Sequence, residues 1–215
     1  HWVHLHMFKA RVLGALAARL VGIPAIIETL HGHMLEGYYN KLLSWLVWPV
    51  ECLVGWILTH RVVAISQGQY NELARYKIAP ERKILIQHVG FDPEPFYNLE
   101  DFQTKLRRAH AIPLDSVVVG IMARLVPDKG IHDFLEAASL LNENQSHSIH
   151  FLIAGDGPLS AELHEKAEIF GLDHNCSFLG LVDDVRLFYA AIDVYVLSSW
   201  NEGTPCLLYT SPSPR

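Results

Sequence analysis

Cysteine is scarce, charge is thin, and no apolar run is long enough to cross a bilayer. The 215 residues contain three cysteines, Cys52, Cys176 and Cys206, and no CxxC pair. That spacing builds neither a disulfide framework nor a zinc motif, and a reduced, intracellular chain is expected. Only 19% of residues are charged and the net charge is -6, which argues against a general nucleic-acid binder. The longest apolar stretch, LLSWLVWPVECLVGWIL (42–58), falls short of the ~20 residues of a spanning helix and is interrupted by Pro49 and Glu51. It reads as a helix that is buried or lies in an interface, with a membrane-surface role as one expectation. The first residues lack the positively charged stretch and short apolar core of a secretory signal. A start at His1 rather than Met suggests a fragment.

Hydrophobic residues are plentiful, at 50% of the chain, enough for a sizeable core. Short apolar runs alternate with helical periods. Strands are expected at WVHLH (2–6), AIIETL (25–30), RVVAIS (61–66) and KILIQHVG (83–90). Helices are expected over 9–22, with apolar positions at Val12, Leu13, Leu16, Leu20 and Val21, over 40–58, and from Ser66, whose hydroxyl suits an N-cap. The stretch FDPEPFYNLED (91–101) has two prolines and no apolar period and reads as a domain boundary. Alternation then resumes with strands at 116–125, 150–154, 176–180 and 193–199 and helices at 130–141, at 161–171 and, briefly, before 193. Strands that are apolar throughout, alternating with helices, predict α/β units whose parallel sheets are buried on both faces.

Ligands of such sheets sit beyond the carboxyl ends of the strands. ARLVPDKG (123–130) offers Arg124 and Lys129 just before a helix, a pattern suited to a diphosphate. GDGPL (155–159) is glycine-rich but has no GK[ST] and is no P-loop. SSWNEGTP (198–205) offers Glu202 and the bare backbone of Gly203, and TLHG (29–32) offers His31.

Taken in order, TLHG, VVAIS, HVGFD, ARLVPDKG, GDGPL, CSFLG and SSWNEGTP resemble the retaining glycosyltransferases of the GT-B fold, glycosyltransferase family 4 (group 1). The resemblance implies two Rossmann-like domains, both incomplete here: an acceptor-side domain over 1–92 and a nucleotide-sugar domain over 93–205. It implies that Arg124 and Lys129 bind the donor diphosphate and that Glu202 touches the donor sugar. Gly203 and Thr204 would lend backbone to that sugar, Gly180, Leu181 and Val182 would line the base, and His31 would lie across the cleft. Gly90 and Asp92 match the family's hinge-side turn. The implied reaction moves a hexosyl unit, from a UDP-sugar, to a glycan or lipid-linked acceptor with retention. It needs no cofactor and no metal, because the two cations take up the leaving-group charge. Nucleic acid is not an expected partner. The implied setting is polysaccharide assembly in the cytoplasm, at the inner face of the membrane.

The chain departs from the family pattern at its end. The family's second Glu would fall at 210, where Thr210 stands, and the stretch CLLYTSPSPR (206–215) has no helical period. That string resembles the translation of a transposon adapter used in sequencing libraries, so 206–215 is expected to be non-native and the fragment inactive. Two other readings stand beside the transferase. A relative that binds nucleotide sugars without catalysis would use the same cations. A metal-dependent hydrolase would use the HxH pairs His4/His6 and His31/His33, each with both rings on one strand face.

Overall fold

A computed structural model describes residues 1–31, 41–90, 92–97, 99–143 and 148–200. They fall into two compact units that divide after Gly90. Each is an α/β unit around a four-stranded parallel sheet.

In the first unit, strands β1 (Trp2–His6), β2 (Ala25–Leu30), β3 (Arg61–Ala64) and β4 (Ile84–Ile86) lie in the order β1-β2-β3-β4. Helices α1 (Phe8–Leu20), α2 (Lys41–Leu53) and α3 (Gln67–Arg75) supply the crossovers that parallel strands need. The helix expected over 40–58 is α2, which contains Pro49 and runs into a π-helical turn, Val54–Leu58. Ser66 caps α3, its hydroxyl accepting from the Gln69 N–H at 3.2 Å. The last predicted strand is shorter than expected: β4 ends at Ile86, opposite Ala64, the last residue of β3. The Gln87 N–H still donates to Ala64 O at 2.9 Å, the chain leaves the ladder after it, and residues 87–90 are exposed.

Helix α1 buries the face opposite to the one its leucines suggest. Leu13, Leu16, Leu20 and Val21 are exposed, while Arg11, Ala15 and Ala18 face the sheet. The small alanines let the helix close on β1, and Arg11 has a reason to be inside. Its Nε donates to Glu28 Oε2 at 2.8 Å and one terminal nitrogen donates to Glu51 Oε2 at 2.7 Å. Thr59 Oγ1 donates to Glu28 Oε1 at 3.1 Å. The arginine and both glutamates are buried, so one network joins α1, β2, α2 and the entry to β3. Burial pulls Arg11 down, but the two carboxylates more than reverse this and hold it charged. Burial pushes Glu51 up against the pull of Arg11, and the carboxylate of Glu28 adds to the rise. The partners differ because two acids share one cation.

In the second unit, β5 (Val117–Met122), β6 (Ile149–Ala154), β7 (Cys176–Phe178) and β8 (Val194–Tyr195) lie in the order β7-β6-β5-β8. The sheet is covered on both faces, which is why its strands read as unbroken apolar runs. Ile121, Phe151 and Ile153 join one core cluster with α5 (Ile131–Glu143) and α6 (Ser160–Ile169). The alternate residues Val118, Met122, Leu152 and Ala154 join another with α7 (Val185–Ala191). That second cluster also holds Leu106 of α4 (Glu100–Ala109), a helix that starts at the end of the boundary stretch 91–101 and was not expected. The anchor of α4 is polar. Buried Arg107 donates to the carbonyls of Ala191, Leu114 and Ser116 and to Asp193 Oδ2 at 2.8 Å.

Arg11→Met strands two buried carboxylates and is expected to cost about 3–5 kcal/mol of unfolding free energy at neutral pH. A folded-state value raised above the unfolded one means stability is present at low pH and lost as pH rises through it. The deficit should therefore shrink in mild acid as Glu51 takes up a proton. Urea denaturation of both proteins at neutral and mildly acidic pH measures this.

Candidate functional site

The carboxyl end of the second sheet gathers four loops. Beyond β5 the chain runs beside the loop that follows β6: the Ala123 N–H donates to Ala154 O and the Leu125 N–H to Asp156 O, each at 3.0 Å. The approach is close enough to dictate glycine. Gly155 has φ +125°, and a Cβ there would stand 1.9 Å from the Ala123 carbonyl oxygen. At Gly157 it would stand 2.5 Å from the Leu125 carbonyl oxygen. The glycines of GDGPL thus serve the contact between two loops, which their local pattern did not indicate. The loop after β7 joins through the Gly155 N–H, which donates to Gly180 O at 2.7 Å.

The loop after β8 clamps the start of α5. Ser198 Oγ donates to Lys129 O at 3.0 Å and the Trp200 N–H donates to Asp128 O at 3.0 Å. Trp200 Nε1 donates to Asp133 Oδ2 at 2.7 Å. Gly130, at φ +61°, turns the chain from the 3-10 turn Pro127–Lys129 into the helix, where a Cβ would meet Ser198 O at 2.1 Å.

Arg124 and Lys129 are both in this cluster. Arg124 is exposed and makes no hydrogen bond or ion pair among the described residues. The Lys129 side chain is largely buried, with Nζ 3.6 Å from Asp128 Oδ2. Gly180 lies at the same sheet end, Leu181 is exposed and Val182 packs on the core cluster of α4 and α7. Glu202, Gly203 and Thr204 lie outside the described residues. The Ser199 hydroxyl at this end is buried without a hydrogen-bond partner among the described residues. Only its burial singles it out, so the sequence carried no signal for it.

His31 stands at the carboxyl end of the first sheet, just past β2. Its Nε2 is 2.7 Å from His6 Nδ1, with the rings stacked at 5.0 Å. His4, on the same face of β1, bonds Thr29 Oγ1 at 2.7 Å through Nε2. Burial lowers His4 and His31 below the ordinary imidazole value, and His6 lowers both further. The hydrolase reading finds no support here: among the described residues no three His, Cys, Asp or Glu side chains are placed to hold a metal ion. His33 lies outside the described residues.

Comparison with known proteins settles the family. The model of the glycosyl transferases group 1 matches residues 102–209, and that of Glycosyltransferase Family 4 matches residues 1–95. The chain belongs to the group 1 glycosyltransferases. The family likeness extends to an Escherichia coli UDP-Gal:alpha-D-GlcNAc-diphosphoundecaprenol alpha-1,3-galactosyltransferase, 29% identical over 98% of this chain and 55% of that one. The Staphylococcus aureus capsular polysaccharide biosynthesis glycosyltransferase CapM is 26% identical over 91% of this chain and 51% of that one. The chain spans about half the length of these curated relatives. Among solved structures, Anabaena HepE in complex with UDP and glucose aligns with a TM-score of 0.79 at 22% identity, over 92% of this chain and 52% of that one. WaaG, a glycosyltransferase of lipopolysaccharide biosynthesis, aligns at 0.71 and 14% identity, over 91% and 59%. The fold is that of the GT-B glycosyltransferases.

His6→Ala is expected to raise the pKa of His4 and of His31 toward the ordinary value. With folded values below unfolded ones, these groups contribute stability at neutral pH that is lost as pH falls through the folded values. The variant should lose less stability on acidification. Imidazole NMR titration and melts across the same pH range check the two halves of the statement.

Proposed function

We propose that the protein transfers a hexosyl unit from a UDP-sugar to a glycan or lipid-linked acceptor, with retained configuration and without a metal, at the cytoplasmic face of a membrane. The observation that carries this reading is Arg124: an exposed guanidinium with no partner among the described residues, at the carboxyl end of β5 and five residues before Lys129. As the bond from sugar to diphosphate breaks, negative charge builds on the phosphate oxygens. A bidentate arginine and a lysine, with the first N–H groups of α5 close by in sequence, suit that charge. Stabilisation of this kind is worth on the order of 100–1000-fold in rate per group.

In this reading Arg124 and Lys129 hold the diphosphate, and Glu202 and His31 act at the sugar. Gly203 and Thr204 lend backbone to the sugar, and Gly180, Leu181 and Val182 lend backbone to the base. The relatives support the substrate classes, since one is a UDP-Gal:alpha-D-GlcNAc-diphosphoundecaprenol alpha-1,3-galactosyltransferase. The solved HepE complexes contain UDP, UDP with glucose, or UDP-glucose.

Arg124→Ala should weaken UDP-sugar binding by about 1.5–3 kcal/mol, the range for a charged hydrogen bond. The melting temperature should not move, because Arg124 makes no hydrogen bond or ion pair among the described residues. Calorimetric titration decides this, and unchanged affinity would sink the assignment. Glu202→Gln should lower sugar transfer more than UDP binding, and equal losses would argue against its role at the sugar.

A further inference from the structure

We propose that the first unit has a docking surface for anionic lipid at the amino-terminal edge of its sheet: a basic cavity takes the phosphate of a lipid headgroup, and an apolar stripe beside it enters the bilayer interface. This rests on the membrane-face part of the function proposed above and adds the surface, its residues and the charge of the lipid.

The cavity, of about 550 Å³, opens where β3 and β4 begin, at the opposite end of the sheet from His31. Arg19, Arg61, Arg82 and Lys83 line it, and no carboxylate among the described residues does. In a chain with a net charge of -6, four cations around one opening are a local arrangement and do not follow from composition. Two of them are fixed. Lys83 Nζ donates to the carbonyls of Gly55, Trp56 and Thr59 at 3.1, 2.7 and 2.8 Å. Arg19 donates to the carbonyls of Leu58 and Ile57 at 2.8 and 2.9 Å. They close the π-helical turn and hold positive charge in place. The other two are exposed. Arg61 gives one N–H to the neighbouring His60 carbonyl at 3.1 Å, and Arg82 makes no hydrogen bond or ion pair among the described residues. The clustered charge is felt locally. Burial lowers Lys83 below its ordinary value, and Arg19, Arg82 and, less strongly, Arg61 add to this against the pull of Glu28. Burial lowers His60, and Arg19, Lys83 and Arg61 lower it further.

Trp56 and Ile57 also line the cavity and connect it to the stripe. On α2 and the turn after it, Trp45, Leu46, Leu53, Trp56 and Ile57 are 71, 56, 49, 51 and 60% exposed. The Trp56 indole N–H donates to the Lys77 carbonyl at 2.8 Å while half of the residue stays open to solvent. Tryptophan with a satisfied polar end and an open apolar face is the side chain of the lipid–water boundary. Cations beside such a stripe select an anionic surface, at about five-fold in partitioning per Lys or Arg. No helix among the described residues is long and apolar enough to cross a membrane, so this contact is made at the surface.

The test is co-sedimentation of the chain with vesicles of phosphatidylglycerol and phosphatidylcholine in equal parts, and with vesicles of phosphatidylcholine alone. Binding to the mixed vesicles is expected to exceed binding to the neutral ones. The pair Arg61→Ala and Arg82→Ala should reduce it on the order of thirty-fold, from the per-cation factor applied twice. Ile57→Ser should reduce it as well, and circular dichroism should show all variants folded. Equal binding to both vesicle types, untouched by the arginine pair, would overturn the headgroup site and leave membrane association standing. Arginine-dependent binding of inorganic phosphate, with no vesicle binding, would assign the cavity to a free phosphate and overturn the lipid. A dimer that Ile57→Ser dissociates, again without vesicle binding, would assign the stripe to a second copy of the chain and overturn the proposal. None of these outcomes bears on UDP-sugar binding through Arg124, which is measured separately.

Discussion

A buried arginine cannot shed its charge, and in the first unit Arg11 organises what surrounds it. Its guanidinium needs carboxylates, and Glu28 of β2 and Glu51 of α2 supply them. This fixes how α1 rotates on the sheet, which in turn decides that Ala15 and Ala18 go inside and three leucines stay out. It also fixes where α2 ends, because Thr59 joins the network as the chain enters β3. Replacing such a triad by apolar side chains of similar volume can be neutral for stability, but removing one member is not. What the network supplies is a single arrangement of α1, β2 and α2.

The second unit solves a related problem with a different chemistry. Arg107 meets mainly backbone carbonyls, and Asp193 completes the set while also accepting from the Val118 N–H at 2.7 Å. A helix with few apolar residues is thereby tied to β5 and to the segment entering β8. The site end of that sheet then depends on backbone-to-backbone contact among loops, and Arg124, at this end, makes no hydrogen bond or ion pair among the described residues.

Both parallel sheets were legible because strands buried on two faces leave uninterrupted apolar runs, as β5 and β6 do. Arg124 and Lys129 were legible because a strand end followed by a helix start is visible in one short stretch. The face of α1 was not legible. Its periodicity was real, but a buried ion network overrode the hydrophobic preference, and the partners Glu28 and Glu51 lie far off in sequence. Helix α4 was missed for the same reason, since its anchor is an arginine whose partners include the Ala191 carbonyl and the Asp193 carboxylate, both more than eighty positions away, as well as nearby carbonyls. The His6–His31 contact needs the register of β1 on β2, which no local pattern reveals. The glycines of the loop after β6 showed no P-loop pattern, but what requires them, the close approach of the loop after β5, was not visible in the sequence.

Where a Cβ at Gly155 would overlap a carbonyl of the neighbouring loop, two backbones are already in contact before any ligand arrives. The segment that carries Arg124 is therefore preorganised. An anion that reaches it does not have to order a floppy loop, so less of its contact energy is lost to immobilising the chain. The two loops also behave as one mechanical piece, and a pull on the first is transmitted to the end of β6 and, through Gly180, to the loop after β7.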